Sequence, residues 1–334
     1  MPILCDNMMN SVLDFIPNDT SYLNNFQLSC KLFKSIIQPR LDEIYWRTLE
    51  KILGKKNCEG LKNNTLKNFY WSIAAEDYCG KKILYLFDAL KKNTSIVSID
   101  FDPGDNSLSL EVAEKLGELL KTNTTITSLK FSYHWYSFCD TYISEALKVN
   151  KTLKTLCFWG TEIYDAEAMS DMLKVNTTLE ELEISEQEYD SWHWYLLAPG
   201  LKANKTLKTL KLWSVWFDED GLSDITEVIK HNTSITYLDL SSNYNIDDDL
   251  IKYIADMIRG NSTLKELYLR SIKITDKGAM CLHDALIENN TLETISFCSI
   301  DEECDIDRYS SETLRRLNEL SQKKPHLTIN TFGV

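Results

Sequence analysis

Apolar positions along this chain alternate between two spacings. A polar opening leads into an apolar-x-x-apolar-x-apolar run, and after each run the apolar residues fall three and four apart. The runs read NTSIVSIDF from Asn93, NTTITSLKF from Asn123, NKTLKTLCF from Asn150 and NTTLEELEI from Asn176. They continue as NKTLKTLKL from Asn204, NTSITYLDL from Asn232, NSTLKELYL from Asn261 and NNTLETISF from Asn289. A weaker copy, NNTLKNFYW, starts at Asn63, and the spacing stays between 26 and 30 residues throughout. A fixed period of this size marks a repeat architecture. The alternating end of each run predicts a short strand with one buried face. The intervening stretches predict amphipathic helices, as in SLEVAEKLGELLKTN, where Val112, Leu116, Leu119 and Leu120 share a side. One strand and one helix cannot bury their apolar faces alone, but stacked units can. Strands pack about 4.8 Å apart and helices about 10 Å apart, so the stack should curve with its strands inside. The expected fold is an α/β solenoid, a horseshoe with parallel strands on the concave face and helices on the convex face.

The Asn that opens each run sits just after a helix, a place where chains often turn left-handed. Asn tolerates that conformation, so it is expected to end each helix there. The Ser or Thr that follows is expected to satisfy loose backbone groups at the turn. Acidic residues open several helices, as in Asp247 to Leu250, where they favour the helix dipole. The same N-x-[ST] motif is a glycosylation sequon, but sugar at every turn would crowd the stack, and a structural turn explains it. With the repeat, the strand and the helix in place, the chain resembles the leucine-rich repeats of the ribonuclease-inhibitor-like class from about Asn63 onward. LDLSSN at Leu238 to Asn243 is the nearest local match to that class. Most other repeats lack the final Asn, so the buried asparagine ladder of that class is incomplete. PHLTINTF from Pro325 reads as a capping strand. The N-x-T-L runs also resemble repeats of actin-regulating and innate-sensor proteins.

Residues 4–36 follow a different pattern. Met8, Met9, Val12, Leu13 and Ile16 have helical spacing, and Pro17 to Asp19 break it. From Tyr22 the apolar residues fall on two sides: Tyr22, Phe26, Cys30 and Phe33 on one, Leu28, Leu32 and Ile36 on the other. A helix apolar on two sides needs two things to pack on. The order LCDNMMNSVLDFI, YLNNFQLSCKLFKSI, YWRTL resembles the F-box, a short three-helix motif, over about residues 3 to 50. Leu28, Ser29, Cys30, Lys31 and Phe33 are in register with the family's second element, and Tyr45 and Trp46 with its close. Cys5 stands where the family has Pro, and Asn7 where it has Glu. The resemblance implies docking on the Skp-type adaptor of a cullin–RING ubiquitin ligase. It would do so through Leu4, Cys5, Met8, Val12, Leu23 and Trp46. The other reading of these residues is a helical cap on the open end of the solenoid. The organisation expected is an F-box-like module at 1–50, connecting helices and a degenerate first repeat at 51–92, and repeats with a C-terminal cap at 93–334.

Composition narrows the function. The 334 residues carry a formal charge of −14, so phosphate backbones and anionic lipid surfaces would be repelled; neither nucleic acid nor membrane is an expected partner. Nine cysteines, an odd number without a CxxC, suggest neither a disulfide framework nor a zinc site. Buried thiols in a reducing compartment fit better, and no secretory signal or membrane-length apolar run is visible. The cytoplasm or nucleus is the expected location. The Asn- and Lys-rich composition suggests an AT-rich genome, and if the source is an intracellular pathogen, the host cytosol would be the site of action. No phosphate-cradling loop occurs. His134 and His193, each in HWY, make a shared site conceivable, but the sequence assigns no catalytic residue, metal or cofactor.

Recognition residues are easier to place. The strand positions beside the buried ones should face the concave side. They include Asp100, Lys130, Cys157, Glu181, Glu183, Lys211, Asp239 and Glu266, charges of both signs that suit a protein or peptide. Six of eight tryptophans lie between Trp135 and Trp216, in segments read as strand-to-helix loops on one rim. Loops on a rigid scaffold often carry recognition, and interfaces are rich in Trp and Tyr. The expected substrate-binding residues are Trp135, Trp159, Trp192, Trp194, Trp213, Trp216, Tyr237 and Tyr268, with Trp159 and Trp213 nearest the concave face. Together with the F-box-like module, these imply a ligase receptor that captures a protein substrate. A plain interaction scaffold or an enzyme inhibitor are the alternatives.

Overall fold

The computed structural model describes residues 43, 46–47, 55–72, 80–102, 110–132, 139–160, 163–186, 191–297 and 309–331. Backbone contacts divide the chain into two units, Met1–Cys58 and Glu59–Val334. In the first, Glu43 and Arg47 form an exposed ion pair at 2.6 Å along a helical turn. The Cys58 thiol donates to the Trp46 carbonyl at 3.5 Å.

The second unit repeats one strand and one helix. After α1 (Lys55–Lys62) come β1 (Asn68–Ser72), α2 (Gly80–Lys92), β2 (Ser98–Asp102), α3 (Leu110–Thr122), β3 (Ser128–Ser132), α4 (Cys139–Leu147) and β4 (Thr155–Trp159). Then follow α5 (Ala166–Val175), β5 (Glu181–Ser185), α6 (Ser191–Ala203), β6 (Thr209–Lys211), α7 (Glu219–His231), β7 (Tyr237–Asp239) and α8 (Ile251–Gly260). The last elements are β8 (Glu266–Tyr268), α9 (Asp276–Glu288), β9 (Thr294–Ser296), α10 (Ser311–Lys323) and β10 (Thr328–Asn330). The ten strands form one parallel sheet in chain order. β10, from the PHLTINTF segment, closes it beside β9.

Register explains the apolar pattern. Phe69, Ile99, Leu129, Leu156 and Leu182 align across β1 to β5, and Leu210, Leu238, Leu267 and Ile295 continue the row to β9. Each is at most 2% exposed. Two residues further on, Phe101 stacks on Phe131 at 6.0 Å and Phe131 on Phe158 at 5.3 Å. Helices cover this side of the sheet with their own apolar stripes: α3 buries Val112, Ala113, Leu116, Leu119 and Leu120. α5 and α6 approach so closely that a Cβ on Gly200 would lie 2.5 Å from the Ser170 carbonyl oxygen; the Gly200 N–H instead donates to the Ser170 hydroxyl at 2.9 Å.

The repeat asparagines hold neighbouring units together, in a conformation opposite to the one expected. Asn176, Asn232, Asn261 and Asn289 have φ between −72° and −89° and extended ψ, not left-handed backbone. The extended backbone lets each side chain bond in two directions. The Asn232 Oδ1 accepts from the N–H groups of Ser234 and Ile235 at 2.7 and 2.8 Å, and its Nδ2 donates at 3.0 Å to the Leu201 carbonyl of α6, the helix of the previous repeat. Asn150, Asn176, Asn204, Asn261 and Asn289 repeat the arrangement, donating to the carbonyls of Leu120, Leu147, Leu173, Ile229 and Ile258. The carbonyls they reach lie near helix C-termini, where backbone acceptors lack intrahelical donors. Hydroxyls two residues on add to this: Thr152, Thr178, Ser234 and Thr291 reach the carbonyl of the previous repeat's Asn at 3.3–3.4 Å.

Left-handed residues occur elsewhere, just after the strands. Gly160, Glu186, Ser214, Ser242 and Ser271 have φ between 55° and 63° and turn the chain out of the sheet toward the next helix. Asn243, in the LDLSSN segment, is fully buried and steadies one such turn. It accepts from Val215 and Trp216 N–H at 2.9 and 3.1 Å and donates to the Leu212 carbonyl at 2.9 Å.

Carboxylates at helix starts form a second link. Asp218 caps α7 through Gly221 N–H and also accepts from Ser191 N–H, at the start of α6. Asp248 accepts from Thr275 and Gly278 N–H at the start of α9. Asp140 does the same for Asp165 N–H at 2.6 Å, but it is only 3% exposed and its Oδ1 has no partner among the described residues. Burial, outweighing that hydrogen bond, pushes its carboxyl up to about 6.

Two expectations follow. Asn232→Ala leaves two N–H groups and one carbonyl buried and unpaired, and should lower unfolding free energy in urea by about 3 kcal/mol. Asn290→Ala, at an exposed neighbour of the ladder, should change it by no more than about 0.5 kcal/mol. A loss under about 1 kcal/mol for Asn232→Ala would show that the ladder is not a main support. Asp140 has a folded pKa above its unfolded one, so it costs stability above pH 6, and the cost fades as pH falls toward the unfolded value near 4. Asp140→Asn should therefore stabilise the protein at pH 7.5 by on the order of 2 kcal/mol, and the gain should vanish by about pH 4. An equal gain at both pH values would disprove that titration as the cause.

Candidate functional site

On the face of the sheet opposite the helices, one row of side chains crosses the strands. Asp100, Lys130, Cys157, Glu183, Lys211, Asp239 and Tyr268 are direct partners in register from β2 to β8. Acid and base alternate along much of it, so neighbours neutralise one another. Lys211 meets Glu181 at 2.5 Å and Glu183 at 3.5 Å. Burial pulls the Lys211 ammonium down, but the Glu181 and Glu183 carboxylates outweigh it and leave it above the ordinary lysine value. Burial also raises the Asp100 and Asp239 carboxyls, despite their nearest cations, Lys130 for Asp100 and Arg270 and Lys211 for Asp239.

Two aromatic groups lie on the same face. Trp159 ends β4, and its ring is 6.3 Å from that of Trp213, which follows β6. The Lys130 ammonium lies 4.1 Å over the Trp159 ring, and the Trp213 indole N–H donates to Glu183 at 3.4 Å. Both rings are half-buried. Further along, Tyr237 packs on Tyr268 at 5.1 Å, and Arg270 lies 5.0 Å over the Tyr268 ring. The Tyr268 hydroxyl donates to Glu266 at 2.9 Å. Burial pushes both phenols up, with Asp239 adding to the effect at Tyr237 and Glu266 at Tyr268.

This chemistry suits contact more than reaction. Burial, then Glu183, drives the Cys157 thiol far above its ordinary value, so it stays protonated and a poor nucleophile. The phenols are held protonated as well. Among the described residues no group of three His, Cys, Asp or Glu side chains could hold a metal ion, and no helix is long and apolar enough to cross a membrane. His134 lies outside the described residues. His193 lines a void of only about 10 Å³ with apolar side chains, including Trp194 and Leu197.

The structure separates the eight substrate-binding candidates into several places. Trp159, Trp213, Tyr237 and Tyr268 share the strand face. Trp135 lies outside the described residues. Trp192 and Trp194, read as loop residues, belong to α6, and helical geometry turns them apart. Trp192 is 61% exposed and stacks on Tyr195 at 5.6 Å. Trp194 is 1% exposed and packs on Phe217 at 4.7 Å, so it is a core residue and not a recognition one. Trp216 is half exposed on a left-handed turn. The sequence reading missed Arg270, although it lies two residues after Tyr268 and period-two spacing places both on one face. Of the adaptor-facing candidates, Leu4, Cys5, Met8, Val12 and Leu23 lie outside the described residues. Trp46 is helical and half-buried.

Known proteins share the repeats. A sequence model described as "Leucine Rich repeat" matches residues 231–254 and 260–282, which span β7 to α9. Human NACHT, LRR and PYD domains-containing protein 14 is 28% identical over 184 residues, covering 45% of this chain and 17% of that protein. Mouse leiomodin-1 is 33% identical over 116 residues, covering 32% and 19%. The chain thus spans less than a fifth of the length of these curated relatives. A solved structure of a Bacteroides fragilis protein superposes with a TM-score of 0.51 at 16% identity, covering 85% of this chain and 82% of that one. That likeness concerns the fold alone. The repeat period, the ten-stranded parallel sheet and the sequence match together identify the fold as a leucine-rich-repeat solenoid.

Proposed function

We propose that the chain is a protein-recognition subunit whose strand face captures a protein substrate, and whose opening module docks it on the Skp-type adaptor of a cullin ubiquitin ligase. The observation that carries the binding half is the strip from Lys130 through Trp159, Trp213, Glu183 and Lys211, rigid aromatic rings set among paired charges on one sheet. Interfaces use such elements: large rings for contact area and charged groups for partner choice. Side chains held by the sheet lose little freedom on binding, which favours affinity. The adaptor half is supported by the residue order LCDNMMNSVLDFI, YLNNFQLSCKLFKSI, YWRTL ahead of the repeats. In this reading the ligase supplies the chemistry, and this chain supplies proximity and orientation. The family-model match falls wholly within the repeats, and it equally supports a scaffold that binds proteins without a ligase.

Co-purification with a eukaryotic Skp adaptor separates the two. The full chain should hold the adaptor through gel filtration, while deletion of residues 1–50 and Leu4→Ala/Met8→Ala should each lose it. Retention by both variants, or no complex with the full chain, would leave the scaffold reading in its place.

A further inference from the structure

A separate cleft lies between two helices on the other side of the sheet. Its walls are Ser191, Trp192 and Tyr195 of α6 and Asp220, Ser223 and Asp224 of α7, and it is an open groove of about 380 Å³. That is the size of a side-chain or small-ligand pocket. One wall is aromatic. Trp192 and Tyr195 are three residues apart on α6, stacked with 25° between their planes, and 61% and 59% exposed. Two adjacent rings left this open cost more than scattered apolar residues and mark a contact surface. The other wall is anionic. Asp220 and Asp224 stand four apart on α7, a spacing at which like charges repel. Burial, then Asp220 and Asp218, pushes the Asp224 carboxyl up.

Other acidic groups on α7, on α8 and just before α8 are handled differently. Glu219 meets Lys252 at 3.1 Å, Asp256 meets Lys230 at 2.6 Å and Asp249 meets Lys277 at 2.9 Å, each with a lysine of an adjacent repeat. Among the described residues no cation sits this way against Asp220 or Asp224.

We propose that this cleft takes an arginine side chain of a partner protein, its guanidinium lying flat on the Trp192–Tyr195 wall and donating to Asp220 and Asp224. A guanidinium matches both walls: it stacks on aromatic faces and presents several N–H donors in one plane to carboxylates. An ammonium can also sit over a ring, as Lys130 does over Trp159, but it lacks the planar fork that can stack flat while donating to both carboxylates. The site is on helices, whereas the strip proposed above is on strands, and the proposal depends neither on that strip nor on adaptor docking.

The test uses the full chain with 15N-labelled tryptophan, giving eight indole resonances, of which Trp192→Phe identifies one by its loss. The probe is the peptide acetyl-Gly-Ser-Gly-Arg-Gly-Ser-Gly-amide, with a citrulline version of equal size and no charge. The arginine peptide should shift the Trp192 resonance saturably, and the citrulline peptide should not. Asp220→Asn/Asp224→Asn should weaken binding by about fivefold or more, the loss expected for a charge-assisted contact. Glu118→Gln/Asp171→Asn, which removes the same charge from exposed sites on α3 and α5, should change it by less than about twofold. Unfolding curves for each variant confirm that it is folded. No shift at Trp192, equal binding of the citrulline peptide, or equal weakening by the two double variants would each overturn the proposal. The last result would mean attraction to net charge only.

Discussion

Most repeats are tied to the one before through a single buried side chain, that of the opening Asn. The opening Asn satisfies two N–H groups of its own turn and a helix-end carbonyl of the previous unit. Polar backbone at a helix terminus would otherwise be buried unpaired, at a cost of roughly 1–3 kcal/mol per group. The stack can therefore close tightly, and the strands can pair and the helices pack without an aqueous layer between them. The hydroxyls of Thr152, Thr178, Ser234 and Thr291 reinforce the same joint, and the carboxylates of Asp218 and Asp248 link the repeats at the opposite, N-terminal ends of the helices.

A joint of this kind fixes the strand face. Because each strand is set by its neighbour, Lys130, Trp159, Glu183 and Lys211 are brought together across four repeats, 130 to 211 in the chain, although none contributes to the stack that aligns them. The lysines there meet carboxylates or a ring, and the thiol and phenols are held protonated, so the surface is specific in shape and charge pattern but chemically quiet. The outer cleft differs. Its two carboxylates are not matched by lysines as nearby Glu219, Asp249 and Asp256 are, and its aromatic wall is left open.

The repeats were legible in the sequence because period and alternation are set by burial, which every unit needs. The row of alternating charges was legible for the same reason: spacing of two residues puts Glu181 and Glu183, or Tyr237 and Asp239, on one face. The conformation of the repeat Asn was not. Its tendency to turn left-handed is a local preference, and the acceptor that overrides it belongs to another repeat some 30 residues away. Of the left-handed positions that follow the strands, only Gly160 is a glycine; Glu186, Ser214, Ser242 and Ser271 carry no glycine or asparagine to announce them. SWHWY hid its meaning differently. Read as a loop, it placed Trp192 and Trp194 together; as the first turn of α6, it sends one into the core against Phe217 and the other to the surface beside Tyr195. Nothing in the string itself marks where that helix begins.

The asparagine joint also bears on ancestry. Each repeat carries its own Asn and its own turn, and what it requires of the previous unit is a helix-end carbonyl, which any helical repeat offers. A segment of about 28 residues could thus be copied or lost in whole without rewiring the bonds on either side. Array length is then free to drift, while the surface that a given array presents depends on which copies have since diverged. The tryptophans gathered between Trp135 and Trp216, absent from the repeats around Asn261 and Asn289, are where such divergence is written most plainly.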